Sequence, residues 1–371
     1  MPAGCNVPST RFVMGRKLPG RRFRLSLFTF PTALLLPESA LSVVPAINPA
    51  PASMTDLLFE SPGNPLPQNA EAGTFMTHDR KRIRYALFGA TGRPLRGTVI
   101  LLQGRNECIE KYFETIGDLQ KAGFGVATFD WRGQGGSQRL HRNPRRGHVQ
   151  RFAYYAADLE QFYQDIVLPD CRLPLFVLAH STGALVALLA ASGLVNQVQR
   201  MVLSAPLFVI SGVPFSMRTA RRLTGFLRLL GAGGMRLGGR RNDEPPAFEG
   251  NVLTSDPERF RRNARIYDVH PELALGSPSV AWVNAACRAA ATVSDGEFLA
   301  GIHIPVLFIA AGADRVVSTR AIEDCARRMR SASLLTIDGA RHEILQEVDV
   351  YREQLLAAAK AFMLGEVTSE A

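Results

Sequence analysis

The chain has 371 residues, 46% of them hydrophobic and 20% charged, which suits a globular protein of one large domain or two smaller ones. Five scattered cysteines (Cys5, Cys108, Cys171, Cys287, Cys325) form no C-x-x-C pair, so they read as free thiols in a reducing compartment, neither a disulfide frame nor a zinc site. A formal net charge of +10 points to an anionic membrane surface or an acidic substrate. Nucleic acid is not expected, because no binding pattern accompanies the charge.

Residues 1–55 differ from the rest. Arg11, Arg16, Lys17, Arg21, Arg22 and Arg24 precede the first acid, Glu38, and lead into the apolar run LSLFTFPTALLLP and an Ala/Pro-rich stretch. That order imitates a secretory signal, but Pro31 interrupts the run, which is too short to span a bilayer. Met54 then opens a sequence that looks like an ordinary start. The segment is expected to be a poorly ordered leader or a signal or tether. The chain is expected in the cytoplasm or peripheral at the inner membrane, or secreted or tethered if residues 1–53 belong to the mature protein.

From Thr74 the pattern becomes regular. Thr74–Ala90 predicts two strands around a polar turn, and Gly97–Leu102 a short buried strand ending at Gln103-Gly104. A helix over Glu110–Ala122, a strand over Gly125–Phe129 and an amphipathic helix over Phe152–Ile166 follow. Pro174–Ala179 reads as a strand, Ser181–Ser192 as a helix and Met201–Ser204 as a strand. Some ninety residues without a clear strand interrupt the alternation before a strand resumes at Ile304–Ile309. A helix (Thr319–Met329), a strand (Ser333–Ile337) and one long helix (about Ile344–Met363) complete it. Strands alternating with helices imply an α/β fold, a mostly parallel sheet with helices on both faces. Its core is expected over 56–205 and 301–371, with 206–300 inserted at the ligand-binding edge.

One corner of this pattern carries chemistry. In LFVLAHSTGALVALLAA (175–191) a strand runs into a helix through Ser181. So sharp a turn presents the serine hydroxyl and requires small residues two before and two after. Gly183 meets this fully, and Ala179 adds one tolerable methyl. A serine nucleophile needs a base and an acid that orients the base, in the chain order Ser, Asp, His, each on a loop after a strand. Asp314 and His342 occupy those loops. Asp338 is the rival acid, and His180 is expected to point into the sheet in a structural role. An oxyanion needs two main-chain N–H donors, for which Thr182 and Arg105 stand in the required places. No residue spacing suggests a metal, and no cofactor is expected.

With these residues in view the chain resembles α/β-hydrolases of the bacterial lysophospholipase and monoacylglycerol lipase group, also labelled serine aminopeptidase-like hydrolases. The stretches that carry the resemblance are GRNECIEKY (104–112), DWRGQGGS (130–137), HRNPRRGHVQRF (141–152), AHSTG (179–183), NVLTSDPERFRRN (251–263), AGADRVVS (311–318) and DGARHEILQE (338–347). The resemblance covers about residues 75–365 and implies Ser181 as nucleophile, Asp314 as acid and His342 as base. It also implies a helical lid over 206–300 and hydrolysis of single-chain acyl glycerol esters. Gln103-Gly104, where eukaryotic relatives carry His-Gly, and Ala179 are its two departures.

The expected function is therefore a serine ester hydrolase acting on lysophospholipids or monoacylglycerols. An amidase, an aminopeptidase or an acyltransferase would use the same residues, and an inactive lipid-binding fold is the alternative outside enzymes. The stretch FLRLLGAGG (226–234) is expected to line an acyl slot. The lid arginines, among them Arg221, Arg222 and Arg228, are expected at an anionic membrane.

Overall fold

The computed structural model describes residues 57–211, 216–238 and 247–365, so the expectations for residues 1–55, and for parts of the 206–300 insertion, lie outside the described residues. β1 (Ala70–Met76) and β2 (Arg82–Phe88) form an antiparallel hairpin, and β2 runs antiparallel to its other neighbour as well. Everything after is parallel: β3 (Gly97–Leu102), β4 (Phe124–Phe129), β5 (Leu175–His180), β6 (Val198–Ser204), β7 (Val306–Ala311) and β8 (Ala332–Ile337), in the order β1-β2-β4-β3-β5-β6-β7-β8.

β3, β5 and β7 are buried along their whole length, which is why they read as continuous apolar runs. Their alternate residues feed two cores. Ile100, Leu102, Val177 and Phe308 belong to one face of the sheet, and Val99, Leu101, Phe176 and Leu178 to the other. This period of two is the signature of a sheet covered on both sides.

The helices are α1 (Phe113–Lys121), α2 (Ala153–Phe162), which continues through a π-helical turn into α3 (Leu168–Asp170), α4 (Thr182–Leu189), α5 (Met217–Leu229), α6 (Pro257–Val269), α7 (Val280–Val293), α8 (Gly296–Ala300), α9 (Thr319–Arg328) and α10 (Asp349–Leu364). Between β6 and β7 stand α5 to α8, each begun by a side chain that accepts a main-chain N–H: Ser216, Asp256, Ser279 and Asp295. Such caps satisfy donors that a helix start leaves orphaned. The RRGHV segment finds its purpose here. Gly276 N–H donates to Arg145 O at 2.7 Å and Ser279 N–H to Gly147 O at 2.8 Å, while Val280 N–H donates to Met235 O at 2.9 Å. A small ladder thus ties the 145–149 loop to the insertion.

The expected single helix over 344–363 is two pieces. A 3-10 turn (Ile344–Gln346) ends at Glu347, whose buried carboxylate accepts the main-chain N–H groups of Ser255 and Arg341, both at 2.9 Å. Only then does α10 begin. Among the described residues no helix is long and apolar enough to cross a membrane.

Candidate active site

The parallel strands end together, and the loops after β5, β7 and β8 bring Ser181, Asp314 and His342 to one rim. Ser181 sits at the corner with φ 51° and ψ −109°, a left-handed conformation rare for a residue with a side chain. The corner holds because main-chain groups surround it: Ser181 N–H donates to Ser204 O at 2.9 Å, and Ser181 O accepts from Leu207 at 3.1 Å and Leu185 at 3.2 Å. A Cβ at Gly183 would lie 2.6 Å from both Leu102 O and Gln103 O, so only glycine lets the helix start pass the end of β3. Ala179 is fully buried and pairs across the sheet with Leu102 and Leu203.

His342 Nε2 stands 3.1 Å from Ser181 Oγ, and its Nδ1 stands 2.8 Å from Asp314 Oδ2. The other carboxylate oxygen of Asp314 accepts the N–H groups of Val316 and Val317 at 2.7 and 2.9 Å. Burial pushes Asp314 upward, yet the His342 hydrogen bond and charge and those two N–H donors outweigh it and hold the carboxyl below its usual range. An ionised acid so placed fixes the ring with Nδ1 protonated and leaves Nε2 free to accept the serine proton. Asp338, the rival acid, is exposed, and the Nδ1 it would need is bonded to Asp314.

The main-chain N–H of Thr182, at the first position of α4, has no acceptor within the helix. That of Arg105 meets none among the described residues. The neighbouring Gly104 N–H is already taken by Glu107 Oε2. Both donors are therefore unspent. The Arg105 side chain turns away to Gly276 O and lies 5.4 Å from the Trp282 ring centroid. Gln103, the departure from His-Gly, is fully buried, and its carbonyl accepts from Trp131 Nε1 at 2.9 Å.

Sequence reasoning missed two buried ionic clusters. In DWRGQGGS, Asp130 accepts from Arg84 Nε at 2.8 Å, and Arg84 also holds Glu110 at 2.7 Å; this cluster braces β2 against the loop after β4. The second joins Glu107, Lys111 and Glu343 beside His180. His180 is the buried last residue of β5, and its ring also lies beside the site, its centroid 4.8 Å from that of His342. Glutamate and lysine four apart in GRNECIEKY, and a glutamate following His342, were the available signals. The FLRLLGAGG side chains do not enclose a slot: Phe226, Leu229 and Leu230 are exposed. No group of three or more His, Cys, Asp or Glu suited to a metal occurs among the described residues.

Known proteins share this arrangement of sequence and fold. The family described as "Serine aminopeptidase, S33" matches residues 93–349. Lysophospholipase L2 of Escherichia coli (strain K12) is 35% identical over 275 residues, 71% of this chain and 79% of that protein. The probable lysophospholipase L2 of Haemophilus influenzae is 29% identical over 269 residues, covering 72% and 84%. Among solved structures, a monoglyceride lipase from Saccharomyces cerevisiae superposes with a TM-score of 0.65 at 20% identity, covering 82% of this chain and 97% of that one. A thermostable carboxyl esterase from Bacillus coagulans gives 0.65 at 18% identity, covering 81% and 100%. The chain belongs to the serine aminopeptidase S33 family of α/β-hydrolases, the group of the bacterial lysophospholipases and monoacylglycerol lipases.

Proposed function

We propose that this serine carboxylic ester hydrolase of lipids cleaves the acyl ester of lysophospholipids or monoacylglycerols through an acyl-enzyme on Ser181. The observation that carries the reading is the unbroken Ser181–His342–Asp314 hydrogen-bond chain. Ser181 Oγ attacks the ester carbonyl carbon while His342 Nε2 takes its proton. The carbonyl oxygen becomes an oxyanion facing the N–H groups of Thr182 and Arg105, where each donor contributes about 10²–10³ in rate. The C–O bond to the glycerol oxygen then breaks, and His342 returns the proton to that leaving oxygen. Water attacks the acyl-enzyme, passes one proton to His342 and frees the fatty acid as Ser181 recovers its own.

Supporting the substrate class are the names of the relatives, which are lysophospholipases and a monoglyceride lipase. The test is fatty-acid release from lysophospholipids and monoacylglycerols, beside peptidyl amides, with Ser181→Ala in parallel. The family's description names an aminopeptidase, and faster turnover of the amides than of the esters would replace this reading with that one.

The helical insertion acts in this reading as the lid, covering residues 206–300, and α5 as its membrane contact. Arg218, Arg221 and Arg222 are exposed on α5 beside Leu223, Phe226 and Leu229, an apolar stripe flanked by cations that suits an anionic lipid surface. Arg228 is committed elsewhere, donating to Asn284 Oδ1 at 2.8 Å. Co-sedimentation with anionic vesicles is expected to weaken when Arg218, Arg221 and Arg222 become alanine, and undiminished binding would sink the contact.

A further inference from the structure

Two loops must meet for the proposed chemistry: Gln103–Arg105, which offers one oxyanion donor, and the loop after β8, which carries His342. They come from opposite sides of the serine and share no strand. What connects them is buried charge. Glu107 Oε1 accepts from Lys111 Nζ at 2.9 Å, and the same ammonium lies 2.7 Å from Glu343 Oε1. Glu107 Oε2 accepts from Tyr112 OH at 2.7 Å and from the Gly104 N–H. Glu107, Lys111, Tyr112, His180 and Glu343 are all buried.

We infer that Glu107, Lys111 and Glu343 are positioning residues that lock the oxyanion loop to the histidine loop. The inference rests on the serine-hydrolase reading above and adds residues that reading does not use. Each end of the lock acts on a neighbour of the chemistry. Glu107 captures the Gly104 N–H, which fixes the Gln103–Gly104 peptide and leaves the N–H of the next peptide, that of Arg105, as the unspent donor. At Gly104 a Cβ would lie 2.9 Å from Glu107 Oε2 and 3.0 Å from His180 Cδ2, so the loop is pressed onto the carboxylate with no slack. Glu343 directly follows His342, and its main-chain N–H donates to Leu253 O at 2.8 Å. Lys111 also anchors the end of that loop by its backbone, where Gln346 Nε2 donates to Lys111 O at 3.2 Å.

Stability alone is a poor reason for such an arrangement. Two carboxylates and one ammonium are buried together, and desolvating each ion costs several kcal/mol that an apolar trio of the same volume would avoid. What the ions supply is direction: hydrogen bonds of fixed geometry reaching two loops at once, where a catalytic arrangement tolerates about 0.5 Å of error. The electrostatics agree. Burial pushes Glu107 up, but the Lys111 charge and the Lys111 and Tyr112 hydrogen bonds outweigh it and hold the carboxyl below its usual range, so it stays ionised. His180, driven by burial down to about 4, stays neutral at physiological pH and leaves Lys111 as the cation that both carboxylates share.

The test uses the full chain with dissolved p-nitrophenyl butyrate. Lys111→Met is expected to lower kcat about 10- to 100-fold, a displaced donor costing less than the about 10²–10³ of a lost one, with KM within twofold. Binding of an alkyl boronic acid, whose tetrahedral adduct places an oxygen at the same donors, should weaken by a similar factor. Lys111→Arg, which keeps the charge, should recover most of the loss. As a control for destabilisation, Asp158→Asn breaks the buried Arg132–Asp158 pair, outside this cluster. It should lower the thermal midpoint comparably and leave kcat intact. A Lys111→Met enzyme with kcat within twofold of the parent overturns the inference, as does an Asp158→Asn enzyme that loses kcat to the same extent. Should Lys111→Met fail to fold, Glu343→Gln keeps size and removes one arm, and an unchanged kcat there overturns it equally. Ester turnover by Ser181→Ala at the parent rate would instead remove the hydrolase reading itself, which separates the two failures.

Discussion

The rim of the sheet and the helical insertion between β6 and β7 are built on opposite terms. At the rim, β5 and β7, buried along their whole length, end in loops tied together by main-chain hydrogen bonds, and a serine is held at φ 51° by the groups around it. In the insertion, α5 buries only Ala220 and Thr224, while Phe226 is 58% and Leu229 87% exposed. Rigid surroundings can store strain and hold reacting groups at bonding distance. A helix anchored along one narrow stripe can do neither, but it can meet a surface. Chemistry should therefore depend on the rim alone, and encounter with aggregated lipid on the insertion.

The largest effects should follow from breaking the rim. Ser181→Ala is expected to lower kcat by about 10⁶, the scale at which a nucleophile acting with its base is lost. Asp314→Asn should cost about 10⁴, because an amide there favours the wrong tautomer of His342. Both are read as kcat on a dissolved ester. If either retained a tenth of the parent rate, the contrast would fail at its stronger end.

Less extreme is a substitution that leaves every reacting group in place. In Gly183→Ala the new methyl would meet two main-chain oxygens at 2.6 Å, and neither is a flexible side-chain tip. Overpacking of this kind costs about 1–3 kcal/mol, and it displaces the end of β3 where the proposed oxyanion loop begins. Urea unfolding should show the loss, and kcat should fall with it. Ala179→Gly, at the other small position of the corner, should cost at most about 1 kcal/mol. Equal penalties at 179 and 183 would mean that the crossing is not the constraint.

These two positions also show what the sequence made legible. Small residues around Ser181 were demanded by the turn, and Asp314 and His342 by chain order, so the rim could be assembled from local pattern and fold rules. Buried strands such as Val306–Ala311 announced themselves because both faces are covered. The insertion was not legible as individual helices. Arginines crowd α5 and α6, and the caps Ser216, Asp256, Ser279 and Asp295 were the signals that would have divided it. The break at Glu347 could not be read locally, since the groups its carboxylate collects include Ser255, 92 residues earlier. The same holds for Lys111 and Glu343, which become neighbours only when the sheet closes the chain on itself.

A pH effect sharpens the comparison, because the rim buries a titratable ring. His180 ordinarily titrates near 6.5, and burial, the largest influence, takes it to about 4 in the folded chain. Above pH 6.5 the ring is neutral in both states and contributes nothing. As pH falls from 6.5 towards 4, the unfolded chain binds a proton that the folded one refuses, so stability declines across that window by up to about 3 kcal/mol. Comparing urea midpoints at pH 7 and pH 5 for the parent and for His180→Gln isolates this from other groups. The parent should lose more stability than the variant, and parallel losses would show that the ring is not shielded.

The smallest effect on the chemical step should come from the insertion. Leu229→Ser and Phe226→Ser remove apolar surface that is already in water, so neither creates a cavity and folding stability should stay within about 0.5 kcal/mol. On a dissolved short-chain ester kcat should remain within twofold, since nothing at the rim has moved. On lysophospholipid presented in anionic vesicles the apparent KM should rise several-fold, because each side chain withdrawn from the lipid boundary forfeits about 1.5–3 kcal/mol of burial at most. The ratio between the two substrates is the quantity to measure. A fall in turnover of the dissolved ester equal to that on vesicles would place α5 in the chemistry, and the division between a rigid rim and a surface-seeking insertion would no longer describe this molecule.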